Sequence, residues 1–522
     1  MIDVAIVGAG LTGLTLARRL RTHGVEAVVF DVRVRTGGRI LSVSDEESGV
    51  VVDMGATWYW PDTEPRIAHL IRELGLASFE QPDDGRILNL TDPAKEPETL
   101  SAAHVHGGAR RVTGGMGRVI TALAEALPAE AIRLGCRLRA VRDQDSHVEL
   151  QFTAEAAGAS RLERVQARRV VLAMPPRLVA EHLQFVPVLP LTVAEALAAV
   201  PTWMAREAKV VARFERPFWH DEGCSGSAFG SHPQAVLREV WDASDVTGAA
   251  LAGFMALGPR LREQFSLGMP LLVSSQLAQW FGPATQSGDL QIMDWARESW
   301  TCSQRDGADE QPQWPQADPV LRRPHWSGRL YFGGSETARQ AAGHMEGALE
   351  SAARLADFLR PVAVNSGLNA GHTDAAVRDF TDWVGVQRQL ALPRYRQQLT
   401  QMLSRQDQVQ LTQRALLTTV EQTYSGALEY LAAQDCWASV PDEAGRRVLV
   451  PTLLTAFSGF SKALVDEALL FNAGSCALSN FPDEHQPSAP YVRAITADLA
   501  AAWREFAWSV NDLLHARGRQ AA

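Results

Sequence analysis

A short apolar run, Val4 to Val7, leads into Gly8-Ala9-Gly10-Leu11-Thr12-Gly13, and that turn opens a helical pattern carried by Leu11, Leu14, Ala17 and Leu20. Strand, glycine turn and helix in this order describe a dinucleotide-binding α/β unit. The glycines have separate tasks. Gly8 makes the tight turn, Gly10 lets backbone approach a pyrophosphate, and Gly13 lets helix and strand pack closely, while the helix N-terminus offers free N–H groups to phosphate. A second strand, Val25 to Phe30, ends in Asp31, where the fold places an acid for the ribose hydroxyls, roughly 20 residues past the glycines. A glycine turn with no ligand is the plain alternative, and the agreement of strand, helix and acid argues against it.

Three further stretches make the same demand: Gly37-Gly38-Arg39, then Asp53-Met54-Gly55-Ala56-Thr57-Trp58, and far away Gly333-Gly334-Ser335-Glu336 with Met345-Glu346-Gly347. Together the four read as an FAD site. From Val32 to Arg39 the chain resembles the flavin-containing amine oxidases, the monoamine and polyamine oxidase superfamily. The resemblance continues through Asp53 to Pro61, Gly114 to Arg118, Val170 to Pro176, Trp295 and Gly328 to Ala356. It implies FAD rather than NAD, with Asp31 on the ribose and the Gly-Gly-Arg turn on pyrophosphate and flavin. Cofactor contacts are implied at Gly8, Gly10, Thr12, Gly13, Asp31, Arg33, Gly38, Arg39, Ala56, Thr57, Leu138, Trp295, Gly334, Ser335, Glu336 and Met345.

The expected fold class is an α/β FAD-binding Rossmann-like fold of the amine oxidase type, discontinuous in sequence, with a mixed α+β substrate domain and an all-α C-terminal region. The FAD-binding domain is placed at 1–78, 104–190 and 324–362, and the substrate domain at 79–103 and 191–323. Pro361 to Thr373 reads as a linker. Residues 374–522, which the resemblance does not cover, read as a helical C-terminal domain. There Val492, Ile495, Leu499, Trp503, Phe506, Val510 and Leu513 recur at steps of three and four, a core stripe, and Leu416 to Leu431 and Leu453 to Leu470 show weaker versions. Monoamine oxidases carry a helical insertion before the Gly-Gly-Met-Gly-Arg turn that helps wall the substrate cavity, and here that interval is short. The C-terminal helices are therefore expected either to supply the missing wall or to act as a dimerisation or partner module.

A length of 522 residues suits two to four domains, and a net charge of -10 with a pI near 5.8 argues against nucleic-acid or anionic-membrane binding. Cys136, Cys224, Cys302, Cys436 and Cys476 are scattered with no CxxC pair, so neither a disulfide framework nor a metal site is expected. The chain starts almost on its first strand, no segment approaches ~18 unbroken apolar residues, and the hydrophobic C-terminal tail of membrane-bound relatives is absent. A cytoplasmic enzyme is expected.

Chemistry rests on single residues. Val200 to Lys209, followed by Arg216-Pro217-Phe218-Trp219, resembles the family stretch that holds a lysine near flavin N5. Lys209 is thus the catalytic candidate, and the resemblance implies a role in reoxidation by O2, beside N5, where negative charge develops. Alternation alone also allows an exposed lysine on a strand face shared with Val211, Arg213 and Glu215. Hydride transfer needs a neutral amine, which costs an alkylamine about 4.6 kcal/mol at pH 7. A dry pocket lowers that cost. Trp58, Trp60, Trp295 and Trp300 could build one, or could equally be core, with Trp58 and Trp60 favoured as substrate contacts.

Monoamine oxidases flank the flavin with two aromatic rings. Here His344 falls at one ring position, and a gapless count from Trp295 through Trp300 puts Arg305 at the other; a solvated loop arginine is its alternative. The same count places Gln304 where some relatives carry the cysteine that bonds the flavin, so FAD is expected to be non-covalent. A cation in the pocket would favour an acidic group on the substrate. Amino-acid oxidases of this superfamily carry an arginine where Trp58 stands, however, so an amine or amino-acid-like small molecule, from secondary metabolism, is the expected substrate. With no second glycine fingerprint for NADPH and no Gly-x-Ser-x-Gly elbow, electrons should leave to O2, giving imine and hydrogen peroxide. An amino-acid oxidase, a desaturase, and a non-catalytic flavin-binding scaffold remain alternatives. A homodimer is possible.

Overall fold

The computed structural model describes residues 1–45, 49–100, 105–156, 159–309, 314–360, 370–404, 410–434, 443–475, 478 and 481–521. They form two compact units, Met1–Ala352 and Ala353–Ala522.

The first unit is built on two large sheets. In the first, Ile2–Val7 lies between Ala27–Phe30 and the end of the long strand Ala159–Leu172, all parallel, with Ile132–Arg133 and Leu330–Phe332 extending the parallel part. The run Val4 to Val7 is buried on both faces, as a central parallel strand must be. The start of Ala159–Leu172 pairs antiparallel with Val148–Ala156, which pairs with Cys136–Asp143. Helix Leu11–Thr22 follows the first strand directly, and Leu14, Leu16, Ala17 and Leu20 are buried along it.

The second sheet has seven strands in the order Asp289–Asp294, Ala208–Phe214, Ala249–Met255, Leu237–Asp242, Cys224–Gly230, Arg86–Leu90 and Glu98–Leu100. Its strands come from the two segments assigned to a substrate domain. Helix Leu191–Ala199, assigned there too, instead buries Val193, Ala196 and Leu197 in the core of the first sheet. All of Ala208–Val211 is buried, so this is no half-exposed strand: Lys209 lies inside the protein.

The second unit is helical, with Ala370–Ser404, Leu411–Ala433, Glu443–Thr455, Phe460–Ala473, Pro482–His485 and Ala489–Ala521. Ile495, Leu499, Phe506, Val510 and Leu513 enter its core together with Phe380, Tyr395, Leu416 and Tyr424. Asn472 ties three segments, accepting from the Tyr395 hydroxyl at 2.8 Å and donating to the Thr412 hydroxyl at 2.8 Å and the Glu484 carbonyl at 3.1 Å. The Glu484 carboxylate accepts from the Leu411 and Thr412 N–H groups that open a helix. Of the expected linker, 361–369 lie outside the described residues, and Ala370 to Thr373 are already helical. No unbroken apolar run of ~18 residues lies in 448–473, but by length and mean hydropathy the segment is long and apolar enough to cross a membrane. Gly459, at φ +73°, divides it into two helices, and Leu453, Phe460 and Leu464 belong to the core of this unit.

Candidate active site

One cleft of about 390 Å³ in the first unit runs along the glycine turn, the Gly37 to Arg39 turn, the Met54 to Trp60 segment and the Gly334 to Ala348 region. Its glycines are required by space. Gly8 has φ +117°, and a Cβ there would lie 2.2 Å from the Ala173 carbonyl oxygen; at Gly13 it would lie 1.9 Å from the Gly8 oxygen. Gly10 caps helix Leu11–Thr22 without a side chain to occupy the helix end, and the first N–H groups of a helix have no partner within it. Gly10, Leu11 and Thr12 line the cleft, so an anionic linker such as a pyrophosphate fits there.

Asp31 is buried at one end of the cleft. Its Oδ2 accepts from Ala9 N–H at 2.7 Å and its Oδ1 from Arg33 N–H at 2.8 Å, which ties strand end to glycine turn. Arg33 is committed to Glu298 at 2.8 Å and to the Thr301 hydroxyl at 2.9 Å. Arg39 lines the cleft and clamps its two sequence-distant walls, pairing with Glu336 at 2.7 Å and donating to Ser335 Oγ at 2.9 Å and the Trp203 carbonyl at 3.0 Å. The Thr12 hydroxyl donates to the Ala348 carbonyl at 3.0 Å, fixing the first helix against the helix that Met345 opens.

Towards the other end stands Lys209, 2% exposed. Its ammonium donates to the Gly55 carbonyl at 3.1 Å and to the Thr57 hydroxyl, and lies 5.1 Å from the centre of the Trp241 ring. Burial lowers its pKa to about 7, opposed by the charge of Asp53 and aided by that of Arg111. Asp53 is itself buried and pushed up, with Lys209 and the Ser42 hydroxyl pulling against burial. Trp58, Trp60, Trp203, Phe254 and Trp295 line the cleft as well. The Trp295 indole donates to the Met54 carbonyl at 3.1 Å.

All the residues expected at the cofactor line this cleft except Gly13, which packs beneath it. Trp58, Trp60, Lys209 and His344 also line it. Trp300 does too, beside Arg137, whose guanidinium lies 4.8 Å from its ring centre.

Arg305 does not reach the cleft. It is exposed on the short helix Gln304–Ala308. Ser303 and Asp306 close a reciprocal capping box at that helix start, and Arg177 holds Asp306 at 2.6 Å and Asp309 at 2.7 Å. Asp306 is therefore turned in and Arg305 out, and the gapless count fails because the chain coils here. The aromatic neighbours of His344 are instead Trp203, stacked at 5.7 Å with 21° between planes, and Trp314, stacked at 5.9 Å with 3° between planes. Trp203 lies inside the lysine-bearing stretch, but nothing in its spacing marked it. Two carboxylates were also missed: Glu64, whose Oε1 is 3.7 Å from His344 Nδ1 and whose Oε2 accepts from Trp60 N–H, and Glu207, paired with Arg238 at 2.8 Å.

The sequence profile of the family described as flavin containing amine oxidoreductase matches residues 95–359, and that of an NAD(P)-binding Rossmann-like domain matches 6–74. A probable flavin-containing monoamine oxidase A of Dictyostelium discoideum is 24% identical over 468 residues, covering 70% of this chain and 99% of the relative. Putrescine oxidase of Kocuria rosea is 26% identical over 467 residues, covering 66% and 92%. Cyclohexylamine oxidase of Brevibacterium oxydans superposes with a TM-score of 0.55 at 21% identity, over 69% of this chain and 99% of that one, and has the same fold.

Proposed function

Because the chain belongs to the flavin-containing amine oxidoreductase family, we propose that this flavin-dependent oxidoreductase is an FAD-dependent oxidase of small amines, yielding an imine and hydrogen peroxide at the expense of O2. The observation that carries the reading is Lys209, buried in the wall of the same cleft that the glycine turn and the Gly334 to Met345 region line.

When bound, the flavin supplies the acceptor for two electrons. Gly8, Gly10, Thr12, Asp31, Arg39 and Gly334 would hold it. Lys209 keeps a donor beside the Gly55 to Thr57 segment, and a pKa near 7 lets its Nζ hold or release a proton around neutral pH. Trp58, Trp60, Trp203 and Phe254 exclude water, which favours the neutral amine over the ammonium. Charge argues for an amine rather than an amino acid: Arg305 is outside the cleft, Arg39 is matched by Glu336 as Glu207 is by Arg238, and Glu64 is on the wall. Non-covalent binding is supported by Gln304, which is exposed and off the cleft. The cysteine that lines it, Cys136, donates its N–H to the Asp31 carbonyl at the ribose end, and burial pushes its thiol up.

The test is anaerobic bleaching of the bound flavin by a library of primary and secondary amines and amino acids, with peroxide and ammonia assayed in air. Amines should reduce the flavin and amino acids should not. A library in which only amino acids bleach it overturns the substrate class, and a protein that takes up no flavin overturns the reading entirely.

A further inference from the structure

Next to Trp58, and outside the chemistry above, lies a buried cluster of charged groups. Trp58 stacks on the imidazole of His106, with ring centres 4.5 Å apart and 28° between planes. His106 is 7% exposed and sits between two acids. Its Nε2 is 2.9 Å from Glu239 Oε1, its Nδ1 is 3.9 Å from Asp83 Oδ1, and its backbone N–H donates to Asp83 Oδ2 at 2.9 Å. Asp83 also accepts from the Ser227 hydroxyl at 3.3 Å. The edge of Trp58 is held too: its indole N–H donates to Gln81 Oε1 at 2.8 Å, and the Gln81 amide donates to the Asp242 carbonyl at 2.7 Å.

This cluster joins Gln81 and His106, the partners of Trp58, to strand Leu237–Asp242 of the second sheet. On that strand Trp241 packs 4.5 Å from Trp58, and the Lys209 ammonium lies over Trp241. The charged groups facing the imidazole are Asp83 from the loop and Glu239 from the strand. The nearby Asp242 carboxylate is turned to Trp219 and His220, and Arg111 to the carbonyls of Asp242, Ala243 and Ser244.

We propose that His106 is a positioning residue: bridging Asp83 and Glu239, it sets the Trp58 ring against the amine substrate. The proposal rests on the reading of the cleft as an amine oxidase site. Nε2 hydrogen-bonds Glu239, whereas Nδ1, 3.9 Å from Asp83, makes no hydrogen bond among the described residues, so it is the charge of the imidazolium that ties the ring to Asp83. Losing the proton keeps the backbone and Ser227 donors of Asp83 but removes the one positive charge set between two buried carboxylates, an imbalance that the loop and the Trp58 ring relieve by moving. Burial alone would drive the ring to its neutral form; the Glu239 hydrogen bond and the charges of Glu239 and Asp83 outweigh it, and the net direction is up from the ordinary histidine value. Substrate affinity therefore falls as pH rises through the titration of His106.

The experiment uses the flavin-loaded full chain, with benzylamine or whichever amine bleaches the flavin. In the wild type, KM should rise about five- to tenfold across the titration while kcat changes less than about twofold, the split expected of lost ground-state binding. His106→Phe keeps the stacked ring without its charge, and should show the raised KM at every pH. Glu239→Gln keeps an acceptor but removes a charge, so the midpoint should move to lower pH. Tryptophan fluorescence and the ¹⁵N shifts of the His106 ring, which need no turnover, should titrate with the same midpoint. If no amine is oxidised, these two readouts still follow the His106–Trp58 contact, so failure of the function and failure of this proposal are separate results. A wild-type KM profile in His106→Phe overturns the proposal. If that variant does not fold, an unmoved midpoint in Glu239→Gln overturns it.

Discussion

Replacing Lys209 with methionine keeps the length of the side chain and removes its amine, which makes the energetic state of this lysine measurable. The folded pKa is lowered from 10.5 to about 7 by burial. Between these values the unfolded chain holds a proton that the folded protein has given up. Stability therefore rises with pH through this window, is constant below about 7 and above about 10.5, and gains about 1.4 kcal/mol per unit, or about 5 kcal/mol in total. Methionine has no such term. The hydrogen bonds lost at the Gly55 carbonyl and Thr57 hydroxyl shift the variant by a constant, about 1 kcal/mol each, without a slope. Urea unfolding of both proteins at several values from pH 6.5 to 9.5 isolates the difference, since titrating groups other than Asp53, which loses the pull of Lys209 in the variant, cancel. The advantage of Lys209→Met should shrink steadily as pH rises. Parallel stability curves across that range would show that the amine is hydrated in the folded state and would refute the argument.

The same substitution should slow reoxidation of the reduced flavin by O2 at least about tenfold more than its reduction by amine, measured by stopped flow. Gly13→Ala would drive a Cβ into the Gly8 carbonyl oxygen and should cost about 2 kcal/mol or more, with the protein purifying colourless; a yellow, equally stable variant would contradict the packing. Arg305→Ala, at an exposed position off the cleft, should leave KM within about twofold for amines and stability within ~0.5 kcal/mol. A tenfold change in KM would return Arg305 to the site. Residues 370–522 expressed alone should be helical and melt cooperatively, because their core residues pack on one another; a non-cooperative melt would refute that.

Much of the cofactor cleft was legible because its requirements are local. Gly8, Gly10 and Gly13 stand at fixed offsets in a strand, turn and helix, and Asp31 closes the next strand, so the pattern could be read without knowing what packs against it. The helical stripe from Ile495 to Leu513 was legible for a similar reason, since a repeating step of three and four defines a face. Lys209 was placed by resemblance, while its surroundings were not readable: alternation left open an exposed strand face, and only the pairing of Ala208–Phe214 between two neighbours, Ala249–Met255 and Asp289–Asp294, buries it.

Where the reading failed, distance along the chain was the cause. Arg305 was placed by counting, which assumes a path, and the Ser303–Asp306 cap with its Arg177 partner turns that path outward. Trp203, Glu64 and Glu207 carry no spacing signal, because what brings them to the cleft is contact with His344, Trp60 and Arg238. Turn chemistry and periodicity are written in neighbouring residues and survive as text. The charge and dryness of a cavity depend on which distant side chains arrive there with partners already attached, and that is set only when the sheets and loops are packed.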